Sequence, residues 1–335
     1  MKRFPLVLFV VSVLSIQCFA NITIETVPVG DAGNAPDIRY STPGRGSVSY
    51  AYNVGKYEVT AGQYTAFLNA VAAIDTYGLY NTGMSNTSYG SGITRSGASG
   101  SYTYSVATDF VNRPVNYVSF WDACRFTNWL HNGQPNGQQS LSTTEDGAYL
   151  INGYNGMDGH TIQRKTNSTW FLPSDDEWYK AAYYKGGSTS AGYWDYPTRS
   201  DTAPGRDMAD PSGNNANYDY HFGLLPIDSG KYTTIVGEFQ NSYGPYGTFD
   251  QGGNVWEWNE PVTYWSGYEA PRRIRGGSFA TASSYLGASF LNADYPRTEV
   301  EFLGFRVVQA IPEPSSLMIL AGGVLALAGV LRKRR

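Results

Sequence analysis

Helical periodicity is confined to three segments in the first 185 residues of the chain, and this restricts the fold more than any other feature. Apolar side chains recur at helical spacing after Thr60, after Ser119 and after Ser174, and each of these residues is a good helix N-cap. Residues 186–311 contain no such period and are rich in Gly, Asn, Asp, Pro and aromatic residues, a composition typical of loops and short strands. We therefore expect an α+β fold with few helices, short strands and much ordered coil.

Capping signals support the predicted starts of the second and third helices. Ser119 is followed by Asp122 and Ser174 by Glu177, which is the spacing of a capping box. Cys124 falls on the apolar face of the second helix, so we expect a buried small hydrophobe rather than a reactive thiol. The string Ser174-Asp175-Asp176-Glu177 is accordingly interpreted as a helix start and not as a catalytic carboxylate cluster. Strands are predicted within residues 22–29 and 48–59, and small hairpins are an option for residues 77–110.

Both ends of the chain are typical of processing segments. Met1-Lys2-Arg3 precedes an apolar run from Phe4 to Ile16, which predicts a secretory signal peptide over residues 1–20 with cleavage after Ala20. At the other end, Pro312-Glu313-Pro314 precedes a 15-residue apolar run, Leu317 to Leu331, and four basic residues. This order resembles the PEP-CTERM sorting signal of Gram-negative bacteria, and a single tail anchor is the alternative. The resemblance implies sorting by exosortase-type machinery to the cell surface or matrix, with membrane contact only through residues 312–335.

Charge and cysteine content exclude several classes of function. The ends carry six of the 24 Lys and Arg but one of the 28 Asp and Glu, so residues 21–311 have a net charge of −9. An acidic body without a basic run argues against nucleic-acid binding. Once the signal peptide is removed, Cys124 is the only cysteine, which leaves no intramolecular disulfide and no cysteine-based zinc cluster.

Six short strings occur in one order along the body of the chain. They are Tyr57-Glu58-Val59-Thr60, Arg113-Pro114-Val115-Asn116-Tyr117-Val118-Ser119, Phe171-Leu172-Pro173-Ser174-Asp175-Asp176-Glu177-Trp178, Gly252-Gly253-Asn254-Val255-Trp256-Glu257-Trp258, Arg275-Gly276-Gly277-Ser278-Phe279 and Leu303-Gly304-Phe305-Arg306. As a set they resemble the formylglycine-generating enzyme family, that is, the sulfatase-modifying factor domain. The resemblance implies a single domain over residues 21–311 with a fold related to the C-type-lectin-like fold.

The resemblance also implies calcium. Asp250 and Glu257 would supply side-chain ligands and Gly253 and Val255 carbonyl ligands, an all-oxygen set that suits this ion. The alternative is that the two carboxylates only accept hydrogen bonds from loop amides. A second implied site departs from the family pattern in loop length; its ligands would be Asn217, the Tyr218 carbonyl and Asp228.

The chemistry of the family's oxidases does not transfer to this sequence. Those members use two cysteines that hold copper, and the corresponding positions here are Thr281 and Leu286, neither of which forms a thiolate. Ser278 and Tyr285 remain at groove positions. A second enzyme branch holds iron with three histidines, two of them in a His-x-x-x-His string, a spacing absent among His131, His160 and His221. The sequence therefore argues against copper, against iron and against any catalytic residue.

These observations predict an exported, surface-sorted protein that binds or scaffolds an extracellular polysaccharide or an envelope protein without catalysis. The competing hypothesis is an enzyme, either a formylglycine-generating oxidase or another chemistry in the same cleft. A purely structural module for matrix display is a third reading, and it predicts no well-formed pocket.

Overall fold

The computed structural model describes residues 21–187, 192–219, 226–228, 230–263 and 270–312. The predicted signal peptide, His221 and the tail from Glu313 onward lie outside these residues. In the described part of the chain no helix is both long and apolar enough to cross a bilayer.

Three α-helices and ten short strands make up the regular structure of the described residues. The helices are α1 (Ala61–Val71), α2 (Phe120–His131) and α3 (Asp175–Tyr183). The strands are β1 (Thr26–Val29), β2 (Tyr52–Gly55), β3 (Ile93–Ser96), β4 (Thr103–Val106), β5 (Trp170–Phe171), β6 (Trp256–Val262), β7 (Arg272–Arg275), β8 (Asn292–Asp294), β9 (Leu303–Gly304) and β10 (Val308–Ala310). The α+β prediction with few helices, short strands and much ordered coil is confirmed.

All three predicted helix starts are confirmed, and each is a complete capping box. Thr60 accepts from the Gln63 amide and Gln63 reaches back to the Thr60 amide. Ser119 does the same with Asp122, and Ser174 with Glu177. These reciprocal bonds satisfy amide groups that no helical carbonyl can reach, which explains why local sequence is enough to position the helices.

Strands are shorter than the sequence predicted. In the segment 22–29 the ladder begins only at Thr26, because the Ile22 backbone is held by the Gln134 side amide and the Thr23 carbonyl by Gln63. Similarly, only Tyr52–Gly55 pairs within 48–59. The hairpin option for residues 77–110 is realised by β3 and β4.

Eight of the ten described strands form two four-stranded sheets, and β3 and β4 form a separate hairpin. One sheet has the order β1-β2-β10-β5, so the last described strand, β10, lies between β2 and β5. The other has the order β8-β7-β6-β9, in which β6 and β9 are parallel and the other pairs antiparallel. Aromatic side chains from α1 and α2 fill the space between them: Phe67 contacts Phe126, and Phe126 contacts Phe305. This core fixes the ends of β6 and β9, where the charged cluster described below is located.

Candidate functional site

Thr281 and Leu286, the two positions that the family resemblance aligns with the oxidase thiols, both lie next to Gly277. Gly277 has a φ of +72°, and a Cβ built on it would lie 2.7 Å from Leu286 Cδ1 and 3.0 Å from Thr281 Oγ1. The backbone fits against both side chains because residue 277 is a glycine. A 3₁₀ turn over Ser283–Leu286 completes this loop. The fold therefore brings the two positions together, and it places a hydroxyl and an isobutyl group there.

The hydroxyl groups of Thr281 and Ser278 both make hydrogen bonds within the local turn. Thr281 Oγ1 accepts from the Ser278 amide at 2.8 Å and donates to the Ser278 carbonyl at 3.1 Å. Ser278 Oγ accepts from the Ala280 amide at 3.2 Å, and Ser278 is fully buried. None of these contacts joins a hydroxyl to a base, so the turn lacks the hydrogen-bonded nucleophile and base of covalent catalysis.

Tyr285 and Leu286 face different surroundings. The Tyr285 ring is partly exposed, with its centroid 4.3 Å from that of Phe290 and 6.1 Å from that of Trp256. Leu286 is fully buried, and its carbonyl accepts from the Tyr183 hydroxyl at 2.9 Å. Of the predicted groove residues, Tyr285 therefore presents an aromatic edge at the surface, while the second thiol position belongs to the core.

The remaining thiol and the described histidines lie elsewhere. Cys124 is fully buried on α2, as predicted, and burial raises the pKa of its thiol well above the usual range, which suppresses the thiolate. His131 contacts Thr169 and His160 contacts Asp158. His221 lies outside the described residues. The two described histidines thus have separate neighbours and share no site.

Glu257, predicted as a calcium ligand, is the partner of a buried arginine. Arg306 donates from Nε to Glu257 Oε2 and from Nη2 to Glu257 Oε1, both at 2.6 Å, and neither side chain is exposed. Trp178 Nε1 also donates to Oε2 at 2.6 Å. The parallel pairing of β6 with β9 sets this contact, because Glu257 lies opposite Gly304, two residues before Arg306.

Two further carboxylates, Glu58 and Asp250, lie near this ion pair, and neither pairs with an arginine of its own in the described part of the chain. Glu58 is 2% exposed and accepts from Asn254 Nδ2 at 3.0 Å and from the Val255 amide at 3.3 Å. Asp250 accepts from the Gly237 amide at 2.6 Å. Burial raises the pKa of Glu58 well above its usual range, with Asp250 adding to the effect, and burial raises the pKa of Asp250 to about 6. The cluster therefore holds three carboxylates for one guanidinium.

Sequence reasoning missed Glu58 and Arg306 as members of this cluster. Both are in strings used for the family resemblance, Tyr57-Glu58-Val59-Thr60 and Leu303-Gly304-Phe305-Arg306. Each is the one charged residue of an otherwise uncharged string. Because charged residues are seldom fully buried without a partner, this was a signal that the two could be paired.

The two segments predicted to bind calcium touch each other. Gly253 has a φ of +88°, and a Cβ on it would lie 2.2 Å from the Asn217 carbonyl oxygen. The Asn254 amide donates to that same oxygen at 2.7 Å. The carboxylate oxygens of Asp250 and Glu58 suit a cation, whose charge would favour the ionised form of both groups, and the turn at residues 250–255 carries carbonyl oxygens of the kind calcium takes. Glu257 fits less well, since Arg306 and Trp178 already occupy its oxygens.

The second predicted calcium site has its carboxylate directed at an arginine. Asp228 forms an ion pair with Arg113 Nη2. Asn217 Nδ2 donates to the Tyr232 carbonyl at 2.8 Å, and Tyr218 is buried, with its hydroxyl donating to the Pro204 carbonyl. Residues 220–225 and 229 of this loop lie outside the described part. No group of three or more His, Cys, Asp or Glu side chains among the described residues is arranged to hold a metal ion, so either calcium site would depend on carbonyl and amide oxygens.

The acidic start of α3 is structural, as predicted. Asp175 forms a fork with Arg275, Asp176 Oδ1 accepts from the Gly46 amide, and Glu177 completes the capping box. At the other end of the domain, Pro312 is exposed just after β10, while Glu313 and Pro314 of the predicted sorting motif lie outside the described residues.

Comparison with known families identifies the domain. The model of the sulfatase-modifying factor enzyme 1-like domain matches residues 25–311, and the PEP-CTERM protein-sorting motif matches residues 310–335. The chain therefore belongs to the sulfatase-modifying factor family and carries a PEP-CTERM sorting motif. This motif implies export and exosortase-based sorting to the surface or envelope of a Gram-negative bacterium. Both parts of the resemblance seen in the sequence are confirmed.

Solved structures support the fold. A chain described as the crystal structure of CarF is 20% identical, with 87% of this chain and 99% of that chain covered and a TM-score of 0.57. Treponema denticola variable protein 1 is 19% identical, with 88% and 98% covered and a TM-score of 0.53. No curated protein matches the sequence. At these identities the structural likeness concerns the fold alone.

Proposed function

We propose that this exported protein is a non-catalytic binding or scaffolding module of the bacterial envelope or matrix. The observation that supports the proposal is the pair Thr281 and Leu286, which both lie against Gly277 and which the family resemblance aligns with the two cysteines of oxidase members. Neither side chain can be a thiolate or a soft ligand for copper(I). An extracellular polysaccharide or an envelope protein is the ligand class that suits a surface-sorted protein.

Local contacts support a non-catalytic role over a different catalytic chemistry at Thr281 and Leu286. The Thr281 hydroxyl is held by both backbone groups of Ser278, and Leu286 is fully buried. Cys124 is on a core helix with its thiol kept neutral by burial, so it does not replace the missing pair.

The test is an assay for oxidation of a cysteine-containing peptide by the full-length protein with copper and oxygen. We expect no turnover above the protein-free blank. A Thr281→Cys/Leu286→Cys variant provides a matched comparison, and we expect it to gain copper(I) binding because the two positions are adjacent. Turnover by the unaltered protein would overturn the proposal and favour the oxidase alternative.

We also propose that calcium binds at the turn containing Asp250, with Gly253 and Val255 as carbonyl donors and Glu257 at the edge of the site. The support is the excess of carboxylates over arginine around this turn. When bound, the ion would supply positive charge that holds the 250–255 turn against Asn217; the surrounding residues would contribute hydrogen bonds and burial.

Metal content and thermal unfolding of the full-length protein test the calcium proposal. Mass spectrometry should find calcium, and chelation should lower the Tm, since a ligand at 100 times its Kd stabilises by about 2.7 kcal/mol. Asp250→Asn should respond less to chelation, whereas Asp109→Asn, a change at an exposed carboxylate that pairs with Lys231, should respond as the unaltered protein does. A calcium-free protein that is indifferent to chelation would refute calcium. Stoichiometric copper or iron would instead refute the non-catalytic assignment.

A further inference from the structure

The start of α3 gathers more arginine than its carboxylates require. Asp175, the first residue of α3, is held by Arg275, whose Nε and Nη2 donate to Oδ1 and Oδ2 at 2.7 and 2.9 Å. The Arg275 side chain is 1% exposed, and its Nη1 donates to the Phe290 carbonyl. This fork satisfies both carboxylate oxygens, so Asp175 and Arg275 form a complete pair by themselves.

Two more arginines approach the same carboxylate without hydrogen-bonding to it. Arg45 Nε lies 3.5 Å from Asp175 Oδ2, and Arg273 Nε lies 3.7 Å from Oδ1. Among the described residues neither side chain donates a hydrogen bond, and Arg273 Nε is buried without a hydrogen-bond partner. Their side chains remain 15% and 17% exposed. Both side chains thus keep some exposure beside a carboxylate whose two oxygens already accept hydrogen bonds from Arg275.

The charge count around α3 leaves a positive excess. Three arginines face Asp175 and Asp176, and Asp176 Oδ1 accepts from the Gly46 amide. Burial lowers the pKa of Arg45, with Arg275 adding to the effect, and burial likewise lowers the pKa of Arg273. The N-terminus of α3 adds the positive end of a helix dipole. Among the described residues, three guanidinium groups therefore share two carboxylates here, although residues 21–311 as a whole have a net charge of −9.

We infer that Arg45 and Arg273 form a binding site for an oxyanion, a carboxylate, sulfate or phosphate group, next to the Asp175–Arg275 pair. Guanidinium groups present paired donors that match the oxygens of such groups. Arg275 is a positioning residue, because its fork fixes Asp175 and leaves the outer donors of Arg45 and Arg273 for the ligand. The same chemistry is found in free inorganic anions and in acidic polysaccharides, and the binding assay separates these two sources.

The assay measures binding to the full-length protein at about 150 mM salt, where weak surface attraction is screened. The probes are sodium sulfate, sodium phosphate, dextran sulfate and polygalacturonate, with neutral dextran as the uncharged polymer. We expect binding of an anionic probe and none of neutral dextran. Response to free sulfate or phosphate alone would assign a small-ion site, and response to the charged polymers alone would assign a polysaccharide site.

Single substitutions locate the binding. Arg45→Gln and Arg273→Gln should each weaken binding about tenfold, the loss expected for one charge-assisted contact. Arg199→Gln is the matched control: Arg199 is exposed and stacks on Tyr243, 3.6 Å from the ring centroid, without an acidic partner among the described residues. It removes the same charge and should change affinity less than about twofold, as expected of an exposed charge.

Three results would overturn the site. The first is that no anionic probe binds. The second is that the Arg45 and Arg273 variants bind as tightly as the unaltered protein, and the third is that the Arg199 control loses as much affinity as they do. An anion that binds only here should raise the Tm of the unaltered protein and leave that of Arg45→Gln/Arg273→Gln unchanged. The result is independent of the peptide-oxidation assay, so a failed anion site leaves the non-catalytic proposal standing.

Discussion

Two carboxylate–arginine forks hold the second sheet to the rest of the domain, and they differ in what surrounds them. The Glu257–Arg306 fork is fully buried and has two additional carboxylates beside it, Glu58 and Asp250. The Asp175–Arg275 fork is at the edge, with its carboxylate 14% exposed and two additional arginines beside it. The same pairing motif therefore has opposite excess charge in the two places.

This difference separates structural roles from ligand-binding roles. In each cluster one carboxylate and one guanidinium make two hydrogen bonds to each other, and this pair stabilises the fold. Among the described residues, the groups left over have no hydrogen bond to a group of opposite charge, so they are where an external ion would gain most. The negative excess at residue 250 suits a cation, and the positive excess at Arg45 and Arg273 suits an anion.

The largest expected effect comes from removing the arginine of the buried fork. Arg306→Met should lower the free energy of unfolding by about 3–5 kcal/mol, because Glu257 would remain buried with Glu58 and Asp250 and no guanidinium. Urea unfolding measures the loss. Arg199→Met makes the same side-chain change at the surface and should stay within about 0.5 kcal/mol of the unaltered protein.

A second variant separates lost charge balance from lost packing. Glu257→Gln/Arg306→Met should recover part of the stability, since it removes the uncompensated carboxylate along with the arginine. If the double variant is no more stable than Arg306→Met, the arginine acts mainly by filling space.

A smaller effect is expected at the edge fork. Arg275→Met should cost about 1–3 kcal/mol, less than Arg306→Met, because Arg45 and Arg273 are already within 4 Å of Asp175 and can take over as partners. The same urea titration compares the two variants directly. Equal losses at Arg275 and Arg306 would show that the neighbouring arginines do not compensate.

The sequence was sufficient for features that depend on neighbours along the chain. The helices begin at Thr60, Ser119 and Ser174 because a capping box spans only four residues. The family resemblance supplied the Thr281–Leu286 pair, and the two positions are only five residues apart, with the turn Ser283–Leu286 between Thr281 and the end of the pair.

The charged clusters were not accessible in this way. Glu257 and Arg306 are 49 residues apart and meet only because β6 and β9 pair in parallel. Arg45 and Asp175 are 130 residues apart, and Arg45 lies outside the helices and strands, where no sequence period indicates which residues it will meet. Strand lengths were overestimated for a related reason. Side chains such as Gln134 hydrogen-bond to backbone groups that the alternating pattern predicts to pair with a neighbouring strand.

The smallest expected effect is a gain in stability, on replacing Arg45, and it tests the difference between the two charged clusters most directly. Arg45→Gln removes a cation that burial and Arg275 already disfavour, so in anion-free buffer the free energy of unfolding should rise by up to about 0.5 kcal/mol, in the range of exposed charge changes. Adding sulfate should then stabilise the unaltered protein more than the variant, reversing their order if the site at Arg45 and Arg273 is occupied. A loss of stability in anion-free buffer would mean that Arg45 serves Asp175 as a partner rather than standing in excess. The two clusters would then differ in exposure but not in the charge they leave for a ligand.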